Sequence, residues 1–129
     1  MRIRLNSIFV DDQDKALRFY TDVLGFTKKH DIPAGAARWI TVVSPEGPDD
    51  LELVLEPNGH PAASAYQAAL RQDGIPVTAF ESADIHAEVR RLKDRGVAFT
   101  IDPTPAGPAT IAIFSDTCGN LIQLYQVGC

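Results

Sequence analysis

The feature that most restricts what this 129-residue chain can fold into is that it repeats itself. Ile8 and Phe80, Asp12 and Asp84, Leu17 and Val89, and Tyr20 and Leu92 each stand 72 positions apart. After a slip of one residue, Gly25 and Gly96, Leu51 and Ile122, Glu52 and Gln123, and Leu53 and Leu124 stand 71 apart. Self-similarity at one interval means two copies of one supersecondary unit. Each copy is about half of the chain, which is too little to bury a sheet well, so the two are expected to share one core.

Local signals give the unit its order. Residues 3–10 alternate as a strand, with Leu5, Ser7 and Phe9 on one face and Asn6, Ile8 and Val10 on the other. Asp12 is placed to cap a helix carrying Ala16, Leu17, Tyr20, Val23 and Leu24 at 3–4-residue spacing, and Gly25 ends it. A short strand over 26–29, an irregular stretch around Asp31-Ile-Pro-Ala-Gly35, a strand over 37–43, a turn at 45–50 and a strand over 51–55 follow. The second copy reads as a strand over 77–80 and a helix capped by Asp84, with Ile85, Val89 and Leu92, ending at Gly96. A short strand over 97–101 and an irregular 103–108 come next. Strands 109–114 and 121–127 then form a hairpin turning at Asp116-Thr-Cys-Gly-Asn120. Ala63, Tyr66, Gln67 and Leu70 mark a short linking helix.

The expected fold class is therefore α+β, a single domain over 1–129. Two paired β-α-β-β-β modules, about 1–57 and 76–127, are joined by a linker over 58–75. Their curled mixed sheets are expected to surround a cleft, with the helices outside. A cleft between related modules is a natural place for a small ligand.

Charge and composition narrow the partners. Twelve basic against 17 acidic residues give a net charge of −5. The densest basic run, Arg90-Arg91-Leu-Lys93-Asp94-Arg95, falls on the last turns of a predicted helix, where cations complement the helix dipole. Neither a nucleic acid nor a membrane surface is an expected partner. No charge-free stretch reaches the ~18 apolar residues of a membrane helix. The segment Met1-Arg-Ile-Arg-Leu5 lacks the apolar run of a signal peptide. Cys118 and Cys129 make no disulfide framework or CxxC pair, so a cytoplasmic location is expected. Cys118, in a turn without a nearby base, reads as unreactive, and Cys129 as an exposed terminal thiol.

Several segments resemble one superfamily. They are Ser7-Ile-Phe-Val-Asp-Asp-Gln-Asp-Lys-Ala-Leu-Arg-Phe-Tyr-Thr-Asp-Val-Leu-Gly-Phe26, Ala79-Phe80, Asp84-Ile85, Arg91-Leu-Lys-Asp-Arg-Gly-Val97 and Asp116-Thr-Cys-Gly-Asn-Leu-Ile-Gln123. Together they resemble the vicinal oxygen chelate superfamily of glyoxalase I, extradiol dioxygenases and bleomycin- and fosfomycin-resistance proteins. The likeness spans essentially the whole chain. Its motifs are specific for the fold rather than for a reaction.

In metal-dependent members, His and Glu side chains from equivalent strands of the two modules hold a divalent ion. Its Lewis acidity stabilises an enolate or activates oxygen. The resemblance puts these four positions on Leu5, Glu52, Val77 and Gln123. Leu5 and Val77 have no donor atom, and the neutral Gln123 is no base. Such ions take about three to four protein ligands, so no cofactor is expected at the usual position. His86 reads as a residue of the outer helix surface. His30 and His60 leave open a divalent metal displaced from the usual place.

Glu52 is the candidate catalytic residue. It reads as a general base, an anchor for a cationic ligand, or a hydrogen-bonding partner for Gln123. The expected ligand-binding residues of the first module are Leu5, Ser7, Phe9, Trp39 and Thr41 with Glu52, and Val54 is expected beside them. From the second come Val77, Phe114, Gln123 and Tyr125, with Ala79 and Ala112 in the same lining. Aromatic rings among these are suited to stacking on a planar molecule. The first reading is a protein that binds a small hydrophobic or aromatic molecule without the usual metal. The alternative is an enzyme, a lactoylglutathione-lyase-like isomerase or an extradiol-type dioxygenase, using a displaced metal or Glu52 alone. A third is a dimerising interaction module without a ligand. A homodimer is the expected assembly.

Overall fold

A computed structural model describes residues 1–128 of the chain. The elements run β1 (Leu5–Val10), α1 (Gln13–Arg18), β2 (Thr27–Ala34), β3 (Ala37–Val43), β4 (Glu52–Pro57), α2 (Pro61–Gln72), β5 (Thr78–Glu81), α3 (Ile85–Asp94), β6 (Phe99–Ala106), β7 (Ala109–Ser115) and β8 (Leu121–Val127). The strands make two four-stranded sheets, ordered β1-β4-β3-β2 and β5-β8-β7-β6. β1 runs parallel to β4 and β5 parallel to β8, while the other pairs are antiparallel. The class is α+β with mixed sheets, and the same β-α-β-β-β order occurs twice. Two compact units result, the first Met1–Ala65 and the second beginning at Tyr66. No helix among the described residues is long and apolar enough to cross a membrane.

In the first unit, Asp12 caps α1 by accepting from the Lys15 backbone N–H at 3.0 Å. That hydrogen bond holds the Asp12 carboxyl below its ordinary pKa. α1 continues into a π-helical turn, Phe19–Val23, and ends at Gly25, whose φ of +90° suits a residue without a Cβ. Tyr20 is wholly buried, edge-on to Phe19 and stacked on Phe26. The Phe-Tyr-x-x-Val-Leu-Gly-Phe motif is thus a packing and turning device. Ala16 and Tyr20 are buried together with Ile8, Val10, Ile40, Val42 and Leu55, which alternation puts on one sheet face. In the second unit Asp84 caps α3 through the Ala87 N–H at 3.1 Å, and Ile85, Val89 and Leu92 are buried.

Two stretches expected to be irregular are strands. β2 runs on through Pro33 to Ala34, and β6 through Pro103 and Pro105 to Ala106. Both lie at the edge of their sheets, where a missing N–H on the outer side breaks no ladder. Register shifts between Lys28 and His30, between Phe99 and Ile101, and between Ile101 and Thr104 interrupt the two-residue alternation. Bulges and prolines together erase the sequence pattern by which a strand is recognised.

Candidate functional site

Strand register gathers the first unit's expected residues on one face. Leu5 lies opposite Glu52, Ser7 opposite Val54, and Thr41 opposite Val54 from the other side. His30 pairs with Thr41, and Ile32 with Trp39. Because side chains alternate, Leu5, Ser7, Phe9, Trp39, Thr41, Glu52 and Val54 all share the face opposite the buried Ile8, Ile40 and Leu55. Leu5 is 48% exposed, Ser7 is exposed, Phe9 and Trp39 are half-buried, and Thr41 and Val54 are buried.

Glu52 is the polar centre of this face, at 9% exposure. Its Oε1 accepts a hydrogen bond from Thr41 Oγ1 at 2.8 Å, and His30 Nε2 lies 3.5 Å from the same oxygen. Lys29 Nζ lies 3.7 Å from Oε2 and donates to the Asp49 carbonyl at 2.5 Å. Lys29 and His30 are adjacent in sequence, and strict alternation would send them to opposite faces. The bulge between Lys28 and His30 brings both to the same carboxylate. Lys29 is the residue that sequence reasoning misses, because nothing in the composition of β2 announces a bulge.

In the second unit, Ala79 and Ile113 flank Gln123, and Glu81 and Ile111 flank Tyr125. Val77, whose N–H donates to the Leu121 carbonyl at 2.9 Å, is on the Ala79 face by alternation. The repeat pairs Leu5 with Val77 and Glu52 with Gln123, yet Gln123 lies opposite Ala79. The second sheet is slipped by two residues, which preserves the face. Phe114 and Ala112 do not lie beside Gln123 and Tyr125 as expected. They pair with Ile122 and Leu124 on the other face and are 1% and 0% exposed. Phe114 packs instead on Phe99, 5.6 Å between ring centres. β7 is apolar at most of its positions, so its sequence has no phase to show which residues face which way.

The Asp-x-x-Gly-Asn motif builds a turn rather than a reactive site. Asp116 Oδ1 accepts from the N–H groups of Cys118 and Asn120, and its Oδ2 from Asn120 Nδ2 at 2.7 Å. Gln67 of α2 completes the network, donating at 3.0 Å both to Asn120 Oδ1 and to the Cys118 carbonyl. Cys118 is wholly buried within it, and Cys129 lies outside the described residues. His60 Nδ1 accepts from the Ala62 N–H at the start of α2, and His86 is exposed on α3. On the first unit's surface, Arg38 grips Asp31 with two hydrogen bonds, of 3.0 and 2.8 Å, and also reaches Asp14. The Arg38 hydrogen bonds hold the Asp31 carboxyl below its ordinary pKa, and Asp31 and Asp14 in turn raise that of Arg38. An open groove of about 500 Å³ beside the π-helical turn, lined by Leu17, Arg18, Thr21, Asp22, Phe26, Thr27 and Lys28, includes none of the expected residues.

The donor set does not fit the ion of the metal-dependent members. Of the four positions, Leu5 and Val77 carry no donor, and Glu52 already has an ammonium, an imidazole and a hydroxyl around it. No group of three or more His, Cys, Asp or Glu side chains is gathered as a metal would require among the described residues.

Residues 2–124 match the family model described as Glyoxalase/Bleomycin resistance protein/Dioxygenase superfamily. YurT of Bacillus subtilis (strain 168) is 58% identical over 126 residues, covering 98% of this chain and 99% of that protein. A probable lactoylglutathione lyase of Synechocystis sp. is 28% identical, covering 92% and 90%. Among solved structures, UcmS2 superposes with a TM-score of 0.84 at 32% identity, covering 97% of both chains. TnmS3, an antibiotic-binding protein from Streptomyces sp. CB03234, has a TM-score of 0.76 at 29% identity, covering 98% of this chain and 96% of its own.

Proposed function

The chain belongs to the glyoxalase/bleomycin resistance protein/dioxygenase superfamily, and from that premise we propose that it binds a small hydrophobic or aromatic molecule without the metal of its catalytic members. The observation that carries this reading is the company Glu52 keeps. Its carboxylate is compensated by Lys29, His30 and Thr41, on a face whose other residues include Leu5, Phe9 and Trp39. Such a face offers apolar area and aromatic rings for most of a ligand, with one polar anchor to orient it. Val77, Gln123 and Tyr125 offer the same kind of contact on the second unit's corresponding face. TnmS3, described as antibiotic-binding, supports the reading, since its fold follows this one closely. A homodimer in the cytoplasm is part of the proposal: twofold pairing is the usual closed assembly, and two cysteines without a disulfide framework suit that compartment.

Trp39 is the sole tryptophan, so its fluorescence reports on this face directly. Titration with planar aromatic compounds is expected to quench it saturably. Elemental analysis of the purified protein is expected to find well under one divalent ion per chain. A stoichiometric ion, together with turnover of a hemithioacetal or a catechol, overturns the proposal in favour of the lyase or dioxygenase alternative.

A further inference from the structure

Glu52 sits between two kinds of neighbour that a bound group must satisfy together. Thr41 fixes Oε1 by a 2.8 Å hydrogen bond, while the 3.5 Å to His30 and 3.7 Å to Lys29 exceed a normal N–H···O bond. Those two contacts leave the hydrogen-bonding capacity of the carboxylate, the ammonium and the imidazole not used up between them. Lys29 is also held from behind by the Asp49 carbonyl, so its ammonium is positioned rather than wandering. The Lys29 and Glu52 side chains are 30% and 10% exposed, leaving an approach from solvent.

The chemistry of this triplet is selective. An incoming amine or divalent cation finds its attraction to Glu52 opposed by Lys29. An incoming carboxylate finds its attraction to Lys29 opposed by Glu52. A neutral group that donates and accepts at once meets no like charge, because its hydrogen goes to Glu52 while its oxygen accepts from Lys29 or His30. The geometry points to a subsite, formed by Glu52, Lys29 and His30, that selects ligands carrying a hydroxyl or primary carboxamide on an apolar body. This rests on the proposed binding function and names the ligand class for that same face. The bulge in β2 is what creates it, since without the extra residue only one of the Lys29 and His30 side chains would face Glu52.

The test is a matched probe series read by Trp39 quenching at pH 7.5: naphthalene, 2-naphthol, 2-naphthamide, 2-naphthoate and 2-naphthylmethylamine. The naphthol and the naphthamide are expected to bind about tenfold more tightly than the other three, the order of effect of one well-placed polar pair. In Lys29→Met the opposing charge is gone, and 2-naphthylmethylamine is expected to overtake 2-naphthol. A merely structural role for Lys29 would weaken all probes alike and not reverse their order. Circular dichroism establishes that the variant is folded, and Lys29→Gln gives the same charge change should Lys29→Met fail to fold. Equal binding of naphthalene and naphthol, or preference for the amine by the unaltered protein, overturns the subsite while leaving aromatic binding intact. Absence of quenching by every probe overturns both.

Discussion

Thr41 donates its hydroxyl hydrogen to Glu52 Oε1 at 2.8 Å, with the threonine wholly buried and the carboxylate nearly so. A hydrogen bond to a charged acceptor contributes about 1.5–3 kcal/mol, and removing the donor leaves the buried acceptor under-satisfied. Thr41→Val keeps the shape and deletes the hydroxyl, so the unfolding free energy is expected to drop by about that amount. Thr41→Ser, which keeps the donor, is expected to lose less. Urea denaturation of the three proteins decides it. Equal stability of Thr41→Val and the unaltered chain would show that solvent replaces Thr41 at no cost.

Gly119 occupies a position that only glycine fills without strain. Its φ is +101°, and a Cβ there would lie 2.7 Å from Gln67 Nε2. Gln67 cannot swing aside without giving up its bonds to Asn120 and the Cys118 carbonyl. Gly119→Ala is expected to destabilise by about 2–4 kcal/mol, combining backbone strain with a disturbed hydrogen-bond network. Combined with Gln67→Ala, its cost is expected to be less than additive, since the clash disappears and only the backbone strain persists. Thermal denaturation of the four proteins in the cycle measures this coupling. Strict additivity would mean that the two residues do not meet.

Acid sensitivity follows from two carboxylates. Asp31, through its hydrogen bonds from Arg38, and Asp12, through the Lys15 N–H, both titrate below their ordinary value of 3.8 in the folded protein. As pH falls, the unfolded chain takes up these protons first, so their stabilisation is complete above 3.8 and lost as pH drops through the folded values. Arg38 is shifted further upward from an already high ordinary value, so its share stays constant at every ordinary pH. Asp31→Asn is therefore expected to be less stable than the unaltered protein at pH 7, with the gap narrowing at pH 3. Urea midpoints at the two values test it, and a gap independent of pH would remove Asp31 as the source.

How far this was legible in the sequence depends on which physical signal each residue leaves. Asp12 and Asp84 announced their helices because an N-cap is a local contact, made within three residues of its own position. The repeat announces that one β-α-β-β-β unit occurs twice, because two copies of one pattern share one solution. Leu5, Ser7, Phe9, Thr41 and Glu52 share the face that alternation predicts for them, as their strands run without interruption. Lys29 escapes that logic, because the bulge that turns it toward Glu52 arises from the pairing of β2 with β3 rather than from β2 alone. Phe114 lies on the face opposite the expected one for a related reason. A strand apolar on both faces has a burial tendency but no phase, and only its partner β8 sets which side faces Gln123.

Gln13 shows a stabilising role of the same hidden kind. Its Nε2 donates to the carbonyls of Arg38 at 2.7 Å and Leu55 at 2.9 Å, and its Oε1 accepts from the Arg38 N–H at 3.1 Å. The pairing of β3 with β4 covers Thr41 with Val54 and Val42 with Leu53, short of Arg38. The carboxamide therefore supplies backbone partners beyond that pairing and fastens the start of α1 to both strands. Gln13→Ala takes away these partners and is expected to destabilise by about 1–3 kcal/mol. Gln13→Glu is expected to be worse at pH 7, because it sets a carboxylate oxygen against two carbonyl oxygens where a donor is needed. Protonation relieves that repulsion, so the deficit of Gln13→Glu is expected to shrink as pH falls toward about 5. It narrows as the Asp31→Asn gap does, but here because the variant regains stability rather than because the unaltered protein loses it. Hydrogen exchange at the Arg38 amide gives an independent reading. Its N–H loses its acceptor in Gln13→Ala and is expected to exchange faster there, and unchanged protection would show that the strand ends hold without Gln13.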